Sequence, residues 1–238
     1  LRPRGTPIRG TGGESTGSVS LMEIINETGE VIKAGGGRRT ALMQCLRYDH
    51  ADIMEFMHKK FNKVDVNNEN ISQVLMDTFP NLPKDEADKI VEMFGAGQED
   101  IIKSLIKYQL DQRLKNANVS VLVDDEFFRL VKEEEDIVFT WNGKETGRIS
   151  AKDVWDLIVQ NSWESGEPGI LNIGLANEMN NIWYHKPLIS TNPCGEIWLE
   201  EYGCCDLGAI NLVEHIDPST GDMDWDLLAD TVTVGVRF

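Results

Sequence analysis

The chain has 238 residues, 41% hydrophobic and 26% charged, and its 40 acidic against 23 basic side chains give a formal net charge of −17. That length suits one large domain or two ordinary ones with a buried core. The acidic surplus argues against a protein that grips polymeric nucleic acid or an anionic membrane by its overall field, though not against a local phosphate site, and no apolar run approaches the roughly 20 residues that span a bilayer.

Residues 1–18 are rich in Gly, Thr, Ser and Arg and read as loop, with no apolar signal-peptide core. VSLMEIINETGEVIK (19–33) carries a helical pattern weakened by Gly29, and the Gly35-Gly36-Gly37-Arg38-Arg39 run that follows is a second loop. ALMQCLRY (41–48) has the length and composition of a buried strand. Asp49 is then expected to cap a helix that buries Ile53, Phe56 and Met57. Residues 62–110 read as a separate block of three short helices, opened near Asn70, Pro83 and Glu99.

NVSVLV (118–123) is strand-like and DDEFFRLVKEEE is helical. Asn142-Gly143 between two β-prone runs predicts a tight hairpin. Ser150 with Asp153 predicts the start of a helix through Trp163, residues 169–173 a short strand, and Asp224 the start of a terminal helix. Strands alternate with helices along most of the chain, which predicts an α/β fold with a largely parallel sheet. A first residue that is not Met and a last helix running to Phe238 without a cap lead to the expectation of an internal piece of a longer chain.

Cys45, Cys194, Cys204 and Cys205 are too sparse for a disulfide scaffold and point to a reducing, cytoplasmic compartment. Without CxxC or HExxH, and with four scattered histidines, no metal site is expected. Cys45 reads as a small buried apolar residue. The sequence NPCGE is more informative. In an extended segment Asn192, Cys194 and Glu196 would project to one side, bringing a carboxamide, a thiol and a carboxylate to one pocket. A carboxylate raises a neighbouring thiol's pKa, so this is a poor Cys/His nucleophile. One-electron chemistry fits better: a neutral thiol yields a hydrogen atom, the carboxylate takes a proton from a substrate hydroxyl, and the carboxamide hydrogen-bonds to it, with Cys205 as a further source of reducing equivalents.

NPCGE followed by CDLGAINL (205–212) closely resembles the active-site stretch of ribonucleotide reductase, most of all that of the adenosylcobalamin-dependent class II enzymes. LRPRGTPIRGTGGESTGSVSLMEIIN, GGGRRTALMQCLRYDHADIMEFMHKK, NVSVLVDDEFF and EPGI look like further family blocks in the family's order. The resemblance implies that residues 1–238 are part of the family's ten-stranded α/β barrel, with 62–110 a helical insertion. It implies that Cys194 becomes a thiyl radical and takes the ribose 3′-hydrogen, that Glu196 is the base for the 3′-hydroxyl, and that Asn192 holds the sugar hydroxyls. Cys205 would be one of two reducing cysteines, its partner lying upstream of Leu1, while Cys204 has no counterpart. Residues 2–13 resemble the loop that receives a deoxynucleotide or ATP effector, with Arg2 and Ile8 as contacts, and Gly35, Gly36, Gly37, Arg38 and Arg39 the loop through which the effector sets substrate specificity. Implied with these are adenosylcobalamin, a ribonucleotide substrate, a thioredoxin-type dithiol reductant and a homodimer, with no polymeric nucleic acid and no membrane as partners; the piece alone is expected to lack activity. Two other readings stay open: a class I large subunit served by a separate radical-generating subunit, and a non-catalytic nucleotide-binding regulatory module.

Overall fold

The computed structural model describes residues 1–10, 12–32, 40–61, 66–79, 81–111 and 114–238. They divide into two compact units, Leu1–Glu201 and Tyr202–Phe238.

The first unit opens with a hairpin-like loop in which Pro7 bridges Glu14 and the Ile8 amide donates to the Gly13 carbonyl. Helix α1 (Ser18–Val31) follows and runs through Gly29 without a break. Strand β1 (Leu42–Arg47) leads into α2 (Ile53–Phe61), where Ile53, Phe56 and Met57 are buried as expected. Asp49 does not cap α2. Its carboxylate is drawn instead to the Arg47 guanidinium at 3.0 Å, and the helix begins four residues later.

The three expected helices are α3 (Ile71–Thr78), α4 (Lys84–Gly95) and α5 (Glu99–Asp111). They bury Val66, Ile71, Val74, Leu75, Phe94, Ile102 and Ile106 in a core of their own. Strand β2 (Ala117–Val123) comes next, then α6 (Asp125–Glu133), capped by the Asp124 carboxylate on the Phe127 amide. β3 (Asp136–Trp141) and β4 (Lys144–Ser150) form the Asn142-Gly143 hairpin, both turn residues having positive φ. Ser150 caps α7 (Ala151–Ser165) by accepting from the Asp153 amide; β5 (Gly169–Asn172), α8 (Ile173–Glu178), β6 (Leu188–Thr191) and β7 (Trp198–Glu200) complete the unit.

β1, β2 and β5 lie parallel in that order, joined by crossovers as parallel strands require. One sheet face presents Leu46, Val119, Val121 and Val123 to α1, α2, α6 and α7, where Ile53, Met57, Phe127, Val154 and Ile158 complete the main core. Each such side chain taken fully out of water contributes about 1.5–3 kcal/mol. Strand alternation and register put Met43 and Cys45 of β1, Asn118 and Ser120 of β2, and Leu171 of β5 on the opposite face. The expected α/β fold with a parallel sheet is present. Among the described residues the strands make this open sheet and two antiparallel ribbons, β3–β4 and β6–β7, and no closed barrel.

The second unit contains a 3₁₀ turn (Leu212–His215), entered through the Asn211 side chain on the Val213 amide, and helix α9 (Trp225–Arg237), which starts at Asp224 as expected, the Asp224 carboxylate accepting from the Leu227 amide as its cap. Among the described residues no helix is long and apolar enough to cross a membrane.

Candidate active site

Asn192, Cys194 and Glu196 all lie in the loop joining β6 to β7. The segment is not extended. The Gly195 amide donates to the Asn192 carbonyl at 3.0 Å, closing a β-turn with Pro193 and Cys194 at its centre. Asn first, Pro second and Gly fourth is a favoured turn composition, so local chemistry overrides strand alternation here. Gly195 has φ +83°, a conformation that costs any residue with a Cβ roughly 1–2 kcal/mol. Asn192 then seals the loop: its amide donates to the Ile197 carbonyl and its Oδ1 accepts from the Ile197 amide, both at 3.1 Å. The carboxamide oxygen is thus used within the loop, and Nδ2 is the group open to a ligand.

This arrangement sets Cys194 at the apex, where it and Glu196 are both exposed. Two bonds tie the hairpin to the free face of the parallel sheet. Asn118 Nδ2 donates to the Pro193 carbonyl, and Ser190 Oγ lies 3.5 Å from Cys45 Sγ. Cys45 is therefore half-buried and hydrogen-bonded, not simply an apolar filler; burial pushes its thiol pKa up, against the pull of the Ser190 contact. Between sheet and turn lies a cavity of about 400 Å³, bordered by Met43, Asn118, Ser120, Glu167, Leu171 and Cys194. That volume is within the range of small-molecule sites. Lys60, which also donates to the Ala117 carbonyl, pairs with Glu167 at the rim.

The other expected site residues lie elsewhere. In the second unit Cys204 is exposed and Cys205 half-buried. Arg2 is exposed at the base of the N-terminal loop, and Ile8 is half-buried in its arm. Gly35, Gly36, Gly37, Arg38 and Arg39 fall outside the described residues. Among the described residues no three His, Cys, Asp or Glu side chains converge on a point that would hold a metal ion.

Two structural roles go beyond the sequence reading. Asn118 was part of a strand pattern and now touches the Cys194 turn. Asp52, which directly precedes α2, is 5% exposed and closes the N-terminal loop: Oδ1 accepts from the Arg4 amide at 2.9 Å, and Oδ2 from the Ser18 amide and hydroxyl at 2.8 and 2.9 Å. Burial opposes its ionisation, but these donors outweigh that penalty and hold the carboxyl below its ordinary range.

The family described as ribonucleotide reductase, barrel domain, matches residues 1–238. A vitamin B12-dependent ribonucleoside-diphosphate reductase of Thermoplasma acidophilum is 32% identical over 240 residues, covering all of this chain and 25% of that protein. The protein of the same name from Mycobacterium tuberculosis is 28% identical over 240 residues, again across the whole chain and 28% of the relative. The ribonucleoside-diphosphate reductase subunit alpha of Chlamydia trachomatis is 28% identical over 247 residues, 100% of this chain and 21% of the relative. The chain spans about a quarter of the length of the curated relatives it matches.

Proposed function

The chain belongs to the ribonucleotide reductase barrel domain family, and from that membership we propose that it carries the radical-bearing turn of an adenosylcobalamin-dependent enzyme converting ribonucleoside diphosphates to deoxyribonucleotides. The observation that carries this reading is the NPCGE β-turn, which presents Cys194 beside a cavity on the open face of a parallel sheet, in a chain similar along its whole length to B12-dependent reductases. The diphosphate form follows the names of the Thermoplasma and Mycobacterium relatives.

In the proposed reaction the Cys194 sulfur radical takes the 3′-hydrogen, so that a C–H bond breaks as an S–H bond forms. Glu196 accepts the 3′-hydroxyl proton, and Asn192 Nδ2 donates to a sugar hydroxyl. The 2′-hydroxyl departs as water on a proton from the pair formed by Cys205 and a second thiol. That pair gives two electrons and two protons in all, one proton completing the water and the other going with the electrons to form the C2′–H bond, and becomes a disulfide. Glu196 returns its proton to the 3′-oxygen, Cys194 returns the hydrogen to C3′, and a thioredoxin-type dithiol reduces the disulfide. Adenosylcobalamin, when bound, would supply the one-electron oxidation of a thiol; Cys194, exposed at the apex of the NPCGE turn, is the thiol that the family resemblance assigns to it.

Three parallel strands with helices on one face are consistent with an arc of the family's ten-stranded barrel, in which residues 62–110, with their separate core, are an insertion. Arg2 and Ile8 would meet a deoxynucleotide or ATP effector, and residues 35–39 would pass its identity to the substrate site. On α1 the exposed stripe Leu21, Ile24 and Ile25 supports a second copy of the chain as partner. A cytoplasmic location fits thiol chemistry that needs reduced cysteines.

The likeness to the Chlamydia subunit alpha supports a second reading, a class I chain whose radical comes from another subunit. One assay separates the two. The full-length protein given adenosylcobalamin, a dithiol and a ribonucleoside diphosphate is expected to form deoxynucleotide with no second subunit. Turnover only after a radical-generating subunit is added would establish the class I reading instead.

A further inference from the structure

We propose that Asn118 is a positioning residue for the Cys194 turn, fixing the height and orientation of the thiol over the sheet; the proposal rests on the reading of Cys194 as the radical-bearing residue. The bonds within the loop, from Gly195 to Asn192 and between Asn192 and Ile197, set its internal shape. They do not set where the loop sits above the strands. Near the base of the hairpin the Cys45–Ser190 contact does so; near its tip the bond is that from Asn118 to the Pro193 carbonyl.

The Pro193 carbonyl belongs to the peptide plane that continues into the Cys194 nitrogen. Holding that oxygen fixes the plane, and, with the rotation about the Cys194 N–Cα bond restrained by the Gly195-to-Asn192 turn bond, it fixes the direction of the Cys194 Cα–Cβ bond. Asn118 is suited to the task because its strand is firmly held. Ala117 and Val119, its neighbours on β2, are each 1% exposed; Asn118 itself is paired with Met43 of β1, and from Ser120 onward β2 is also paired with β5. A carboxamide on a rigid strand holds a carbonyl on a turn, and the turn carries the thiol. Hydrogen transfer depends steeply on distance, and a displacement of about 1 Å in a reacting group costs on the order of 100-fold.

The test uses the full-length protein with adenosylcobalamin and a dithiol. Asn118→Ala is expected to lower kcat by roughly 10- to 100-fold with KM within about twofold, because Asn118, although it borders the cavity, is proposed to act through the Pro193 carbonyl and so on the chemical step and not on binding. Hydrogen–deuterium exchange of the peptide spanning residues 190–198 should quicken, while the melting temperature stays within a few degrees. Asn118→Asp, isosteric but unable to donate from an ionised carboxylate, should reproduce the loss, and it decides the matter if the alanine variant does not fold. Retention of kcat within about twofold, or a raised KM at unchanged kcat, overturns the positioning role; the second result would make Asn118 a substrate contact. If Cys194→Ser leaves turnover intact, the underlying reading fails whatever Asn118 does.

Discussion

Replacing Cys194 by serine in the full-length protein is expected to reduce deoxynucleotide formation to assay background, a loss of at least about 10³-fold, with nucleotide binding and folding unchanged. The hydroxyl is nearly isosteric with the thiol, but its O–H bond is much stronger than S–H, so serine does not serve as the hydrogen-atom carrier. Cys194 is exposed at the turn apex and accepts no structural bond among the described residues, so its change should alter stability by no more than about 0.5 kcal/mol. Equilibrium binding of substrate and effector, measured beside turnover, separates lost chemistry from lost binding. A variant that keeps turnover removes the radical assignment; a wild type that binds effector yet never turns over returns the chain to a regulatory module.

The second large effect lies away from the turn. Asp52→Ala is expected to destabilise the N-terminal loop by about 3–5 kcal/mol, since the Arg4 amide, the Ser18 amide and the Ser18 hydroxyl all lose their acceptor at a buried site. No side chain fits at Gly17 to compensate: a Cβ there would lie 2.8 Å from Arg4 Cβ and 2.9 Å from Asp52 Oδ2. Hydrogen–deuterium exchange of the peptide spanning residues 1–20 should rise strongly. The pH dependence has a definite sign. A carboxyl whose pKa is lower folded than unfolded contributes stability that is complete above its unfolded value of about 4 and is lost as pH falls through the folded value. Protection in this wild-type peptide, measured relative to the intrinsic exchange rate at each pH, should therefore fall below about pH 4, whereas Asp52→Asn, which cannot ionise, should lack that component. Unchanged exchange in Asp52→Ala would show that the carboxylate does not hold the loop.

Where side-chain chemistry is local, the fold is legible in the sequence. Asn142-Gly143 supplies two residues that tolerate positive φ and becomes the hairpin turn; Asp124, Ser150 and Asp224 become helix caps, because each acts on an amide within three residues. Legibility ends where two local rules compete or the partner is distant. Asn192-Pro193-Cys194-Gly195 satisfies both a strand alternation and a turn composition, and the turn prevails because proline and a positive-φ glycine do not suit an extended run. The carboxylates of Asp49 and Asp52 stand before the same helix, yet one goes to Arg47 and the other to Arg4 and Ser18, partners 48 and 34 residues from Asp52. Asn118 did carry a signal. In NVSVLV the alternation places Asn118 and Ser120 on one face and Val119, Val121 and Val123 on the other, which marks the polar face as the one turned away from the core. Nothing in that pattern indicates that Pro193, 75 residues away, would receive the carboxamide.

The most direct test of the account follows the ribose 3′-hydrogen. With the full-length protein, adenosylcobalamin and a dithiol, a ribonucleoside diphosphate deuterated at C3′ should turn over more slowly than the unlabelled substrate, and a 3′-tritiated one should release tritium to solvent, with neither process detectable in Cys194→Ser. Deoxynucleotide formed with no 3′ isotope effect and no loss of tritium would contradict hydrogen abstraction by Cys194.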